Sequence, residues 1–197
     1  MKIPRYWIRV LVYLSLILTP PILRAGEPTA QLSATINDFV TILAATPVAE
    51  LRANGLPEKA RKLIFARFDF SELTKRALGP HWKKLEPKEQ GEFVHALTQR
   101  LLATYGRTVR SSSAEKIQFK REFRDADQAQ VETTLLGDRG GELTIDYRLH
   151  DVNGEWKVYD VLIDHISLVA NYRAQFDRVI ARSSVHELLR MVKDQDS

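Results

Sequence analysis

The chain has 197 residues, of which 44% are hydrophobic and 27% charged, with 29 basic residues against 25 acidic ones and no cysteine. The lack of cysteine excludes a disulfide framework, thiol catalysis and thiolate metal sites. Lys2, Arg5, Arg9 and Arg24 account for the whole formal charge of +4, so residues 26–197 carry 25 charges of each sign and lack the basic patch that displaces counterions from nucleic acid.

Residues 1–25 read as a secretory signal peptide. Lys2, Arg5 and Arg9 precede an apolar run from Val10 to Leu18, and Leu23-Arg24-Ala25 offers a small residue for cleavage before Gly26. That run falls far short of the roughly 20 residues that span a bilayer, and no cysteine follows to carry a lipid anchor. Residues 26–197 suffice for one substantial core and read as a single domain.

The first half of that domain is helical. Leu32, Ile36, Phe39, Val40 and Leu43 follow a 3.6-residue period that breaks at Ala44-Ala45-Thr46-Pro47. After a turn at Asn54-Gly55-Leu56-Pro57, residues 58–66 make a short second helix. Asp69 then caps a third, with Glu72 three residues on and Phe68 and Leu73 at the staple positions. Gly79 and Pro80 stop it. Pro87 opens a long helix, with Glu86, Glu89 and Glu92 near its amino end and Phe93, Leu97, Leu101 and Tyr105 recurring every four residues.

The period then changes to two. Lys116–Glu122, Gln130–Leu136, Glu142–His150 and Glu155–Ile163 read as four strands of a meander, with turns at 125–127, 137–141 and Asn153-Gly154. In the third strand Leu143, Ile145, Tyr147 and Leu149 share one face, while Thr144, Asp146, Arg148 and His150 share the other. Ser167 caps a helix bearing Leu168, Tyr172, Phe176, Val179 and Ile180, and Ser184 caps a last helix through Leu188, Leu189 and Val192. Helices grouped before and after one antiparallel sheet define an α+β fold, with helices packed on the sheet's apolar face.

The pattern offers little to catalysis. The five histidines, His81, His95, His150, His165 and His186, show no metal-ligand spacing. Asp164, His165 and Ser167 resemble a hydrolase cluster, but alternation parts neighbouring strand side chains, Ser167 serves as a cap, and no G-x-S-x-G elbow is present. Asp146 falls on the face opposite Tyr147, where a solvated carboxylate is expected, and Asp160 is expected to bond backbone or Arg173. Arg173, between Tyr172 and Phe176, either reaches solvent or an acid, or contacts a headgroup or partner. Trp82 reads as a core plug or a lid.

The order FDF…LT…ALG…W…L.P.EQ..F…L…L..TY over residues 68–105, with DVLIDHISLVANYRAQF at 160–176, resembles the MlaC family of periplasmic phospholipid-binding proteins, also described as toluene-tolerance ABC-transporter auxiliary components. The resemblance covers nearly the whole of residues 26–197. It implies a periplasmic protein, monomeric and without cofactor or catalytic group. Such a protein holds phospholipid acyl chains in an apolar cleft between helices and a curved four-stranded antiparallel sheet. Leu97, Leu101, Tyr105, Leu143, Ile145, Tyr147, Val161, Ile163, Tyr172 and Phe176 are the expected cleft walls, with Arg173 at the headgroup or a partner. The implied partners are an inner-membrane ABC transporter with an MCE-domain subunit and an outer-membrane lipoprotein complex. A hopanoid carrier and a small cone-fold enzyme acting on an apolar substrate are the alternatives, the latter requiring a buried, perturbed carboxylate among Asp146, Asp160 and Asp164.

Overall fold

A computed structural model describes residues 28–111, 116–136 and 141–194. The signal-peptide reading and most of the 137–141 turn lie outside these residues. Seven α-helices and five strands are described: α1 (Pro28–Ala45), α2 (Val48–Asn54), α3 (Glu58–Arg67), α4 (Phe70–Leu78), α5 (Pro87–Ser111), β1 (Lys116–Asp125), β2 (Gln128–Leu136), β3 (Glu142–Val152), β4 (Glu155–Ile163), β5 (Ile166–Ser167), α6 (Leu168–Ile180) and α7 (Val185–Asp194). The fold is α+β, with a curved, open antiparallel sheet in the order β1-β2-β3-β4-β5.

Local signals place most of these boundaries. Asp69 accepts a hydrogen bond from the Glu72 amide, and Ser167 from that of Ala170, as N-caps do. Gly79 takes φ +54° after α4, a left-handed value that glycine adopts without a Cβ clash, and a 3₁₀ turn through Lys84 follows. Asn153 and Gly154 both have positive φ, the pair of conformations that a tight β3–β4 hairpin requires. Two elements add to the sequence reading. α2 begins directly after Pro47, and the two-residue β5 makes the sheet five-stranded rather than four-stranded.

Register fixes which side chains share a face. Tyr147 stands opposite Val131 on β2 and Val161 on β4, and Ile145 opposite Thr133 and Ile163. One extra residue, Lys120, is inserted in β1 and another, Tyr159, in β4. Such bulges bend a strand and increase its twist, and so curve the sheet.

Two cores form. On the apolar face of the sheet, Leu32 of α1 packs with Ala129, Val131, Leu149, Trp156 and Val158. The second core is wholly helical: Leu73, Ala77 and Leu78 of α4, Phe93, Leu97 and Leu101 of α5, Tyr172 and Phe176 of α6, and Leu188, Leu189 and Val192 of α7. Phe93 meets Phe176 edge-on at 5.5 Å between centroids, a favoured aromatic geometry. Phe68 packs against the sheet core and Phe70 against the helical one, and their rings stack at 5.5 Å. This aromatic pair joins the two cores.

Candidate functional site

α1 covers only one end of the sheet's apolar face. At that end Val131, Leu149, Trp156 and Val158 are completely buried. Toward the other end Leu135, Leu143, Ile145, Tyr147, Val161 and Ile163 all remain half-buried. These residues sit on strands with a neighbour on each side, so the area they keep lies on the face of the sheet; Thr133, opposite Ile145 on the same face, is buried. Tyr147 is the most informative of them. Burial pushes its phenol up to about 12, and the residue still keeps some accessible area.

The helical half of the expected wall is placed elsewhere. Leu97, Leu101, Tyr172 and Phe176 are 0%, 6%, 7% and 5% exposed and pack among α4, α5, α6 and α7 rather than against the strands. Leu97, Leu101, Tyr172 and Phe176 are thus placed in the helical core with residues of α4 and α7, while Leu143, Ile145, Tyr147, Val161 and Ile163 lie on the sheet. Tyr105 stays half-buried at the edge of this core, its phenol raised by burial and by the neighbouring Tyr172. Trp82 packs against the same core and acts as a plug.

A separate cleft of about 420 Å³ opens between α4, α6 and β4, where the charged side chains Arg76, Arg148, Asp160, Arg173 and Asp177 meet apolar ones such as Val169. Asp160 is 2% exposed and fully used: one oxygen accepts from the Val169 amide at 3.0 Å, the other from the Ser167 hydroxyl at 2.6 Å and Arg148 at 3.3 Å. It therefore caps α6 and bonds backbone as expected, but its arginine is Arg148. Arg173 instead donates to the Arg76 carbonyl near the end of α4.

Asp146 departs from expectation. It is 2% exposed rather than solvated, because Leu162 stands opposite it and the turn after β4 folds back over it, bringing His165 Nδ1 to 3.5 Å of one carboxylate oxygen. Its other oxygen has no hydrogen-bond partner among the described residues. Asp164 and His165 both have positive φ, which makes this turn sharp enough to pair β5 with β4. Ser167 caps a helix and bonds Asp160, so Asp164, His165 and Ser167 form no nucleophilic triad. Both buried aspartates lie on the sheet face away from Tyr147, where no apolar substrate beside Tyr147 would meet them. Among the described residues no group of three or more potential ligands is placed to hold a metal ion, and no helix is long and apolar enough to cross a membrane.

This two-core α+β fold has relatives of known structure. Residues 33–194 match the family model described as MlaC protein, and the chain belongs to that family. The toluene tolerance protein ttg2D of Pseudomonas putida is 24% identical over 102 residues, which cover 51% of this chain and 47% of that protein. The match thus spans about half the length of this curated relative. A phospholipid-binding protein from Ralstonia solanacearum, solved in complex with a phospholipid, is 26% identical, with a TM-score of 0.76 over 86% of this chain and 96% of the other.

Proposed function

We propose that the chain is a periplasmic lipid carrier that takes phospholipid acyl chains into the apolar space against the sheet. The half-buried row Leu143, Ile145, Tyr147, Val161 and Ile163 carries this reading, and a phospholipid-bound structural relative supports it. These residues, with Leu135 and the rim residue Tyr105, contact the chains, while Leu97, Leu101, Tyr172 and Phe176 hold the helices behind them. Two acyl chains hold about 30 methylenes, whose exposure to water costs on the order of 20 kcal/mol. A carrier must offset that cost without exceeding it greatly, or it would not release its cargo. Aliphatic walls with a tyrosine at the rim do this, and no catalytic group is required.

In this reading residues 1–25 are removed on export. The mature monomer shuttles lipid between an outer-membrane lipoprotein complex and an inner-membrane ABC transporter with an MCE-domain subunit. Mass spectrometry, native and after organic extraction, of protein purified from the periplasm without detergent tests the proposal. Near-stoichiometric phospholipid is the expected result. A hopanoid in its place would change the pathway while keeping the mechanism. An empty protein that takes up no lipid from vesicles would overturn the carrier reading.

A further inference from the structure

We propose that the cleft between α4, α6 and β4 is a binding site for a tetrahedral oxyanion, a phosphate or phosphate ester, held by Arg76, Arg148 and Arg173. Arg76 and Arg173 are each fixed along one edge, and all three guanidiniums keep donors to spare. Arg76 donates Nε to Glu72 at 2.8 Å and lies 4.0 Å over the Tyr159 ring. Arg173 spends Nε and Nη2 on the Arg76 carbonyl. Arg148 makes only long contacts, from Nε to Gln130 at 3.5 Å and from Nη1 to Asp160 at 3.3 Å. Both Nη groups of Arg76, Nη1 of Arg173 and Nη2 of Arg148 donate to no protein acceptor among the described residues.

Of the two carboxylates of the cleft, the buried one is committed and the other is half exposed. Asp160 is occupied by the Val169 amide, Ser167 and Arg148, and Asp177 stands 3.3 Å from His81. An open cleft of about 420 Å³, with three guanidiniums whose spare donors outnumber the single half-exposed carboxylate, favours an anionic acceptor. Guanidinium forks match the paired oxygens of a phosphate. The site is distinct from the apolar space, because Arg148 and Asp160 alternate with Tyr147 and Val161 and point from the opposite face of the sheet. It stands whether or not the protein carries lipid.

The test is titration of the purified protein with inorganic phosphate, followed by calorimetry and by the arginine Nε–Hε resonances. Saturable binding with a Kd of about 1 mM or tighter and shifts at all three arginines are expected. Arg173→Gln and Arg76→Gln should each weaken binding about tenfold, by the loss of a charge-assisted hydrogen bond. Neither residue contacts buried Asp160, and unchanged thermal transitions would exclude misfolding. Phosphatidylglycerol vesicles that compete with phosphate would identify the ligand as a lipid headgroup at a bilayer surface. Competition by glycerol phosphate but not by vesicles would identify a soluble phosphate ester. Absence of saturable phosphate binding, or binding that survives both substitutions, would overturn the proposal.

Discussion

His150 Nε2 lies 3.0 Å from Oδ2 of Asp69, so the residue that caps α4 also ties that helix to β3. Its other oxygen, Oδ1, accepts from the Glu72 amide at 2.9 Å. Asp69→Ala should destabilise the protein by about 1–2 kcal/mol through the cap, plus the contribution of the strand contact. Asp69→Asn keeps a capping oxygen and should recover most of the loss. Urea denaturation of the two variants measures both. Equal losses for Asn and Ala would assign the effect to His150 rather than to the cap.

Arg67 locks α1 and α3 onto β4. It donates to Thr35 at 2.9 Å, to Gln31 at 2.9 Å and to the Trp156 carbonyl at 2.6 Å, and burial lowers its pKa against the opposing pull of Glu155. Gln31 in turn accepts from the Trp156 amide and donates to the Gly154 carbonyl. Arg67→Ala would strip partners from this network and should cost about 2–4 kcal/mol, since bonds to charged groups contribute more than neutral ones. Arg67→Lys should recover little, because a single ammonium cannot reproduce the fork. Thermal melts of both variants check this, and full rescue by lysine would show that charge alone matters.

What could be read from the sequence was local. The caps Asp69 and Ser167, the stop at Gly79 and the Asn153-Gly154 turn each involve neighbours within a few residues, and all four stand as expected. The apolar face of β3 was equally legible, because alternation is a property of one strand. What a stripe packs against was not. Leu97 and Ile145 are both aliphatic residues on amphipathic elements, yet one is sealed in the helical core and the other keeps accessible area. That difference arises from the extra residues in β1 and β4 and from where α1 ends over the sheet. The burial of Asp146 escaped for a similar reason, since it depends on a two-residue left-handed turn bringing β5 back along β4. For α2 a signal existed in Pro47, because proline precedes α3 in the same way at Pro57.

The two kinds of apolar residue should separate in mutants. Leu97→Ala leaves a void in the helical core and should cost about 2–5 kcal/mol, while folded protein should still take up lipid at the wild-type ratio. Ile145→Asp should cost less stability, because its side chain already borders accessible space, and it should abolish acyl-chain uptake by placing a charge in an apolar site. Uptake of labelled phospholipid per folded molecule, with chemical denaturation in parallel, distinguishes them. Loss of uptake in Leu97→Ala with retention in Ile145→Asp would move the cargo into the helical core.

Tyr147 gives a direct measure of how closed the proposed acyl-chain space is. Its phenol is raised by burial from the ordinary value of 10 to about 12. An acid with a raised folded pKa contributes stability that is complete while both states hold the proton, below pH 10. That contribution is lost as pH rises through 12, where the unfolded chain has already ionised and the folded protein is only beginning to. Two units correspond to about 3 kcal/mol. The wild type should therefore lose about 2 kcal/mol more stability than Tyr147→Phe between pH 10 and 12, and the rest above and below that window, with contributions common to both proteins cancelling in the difference. Ultraviolet titration should find one tyrosinate forming late, absent in the variant. A Tyr147 that ionises near 10 would mean that bulk water reaches the space freely, and an acyl chain would gain little by entering it.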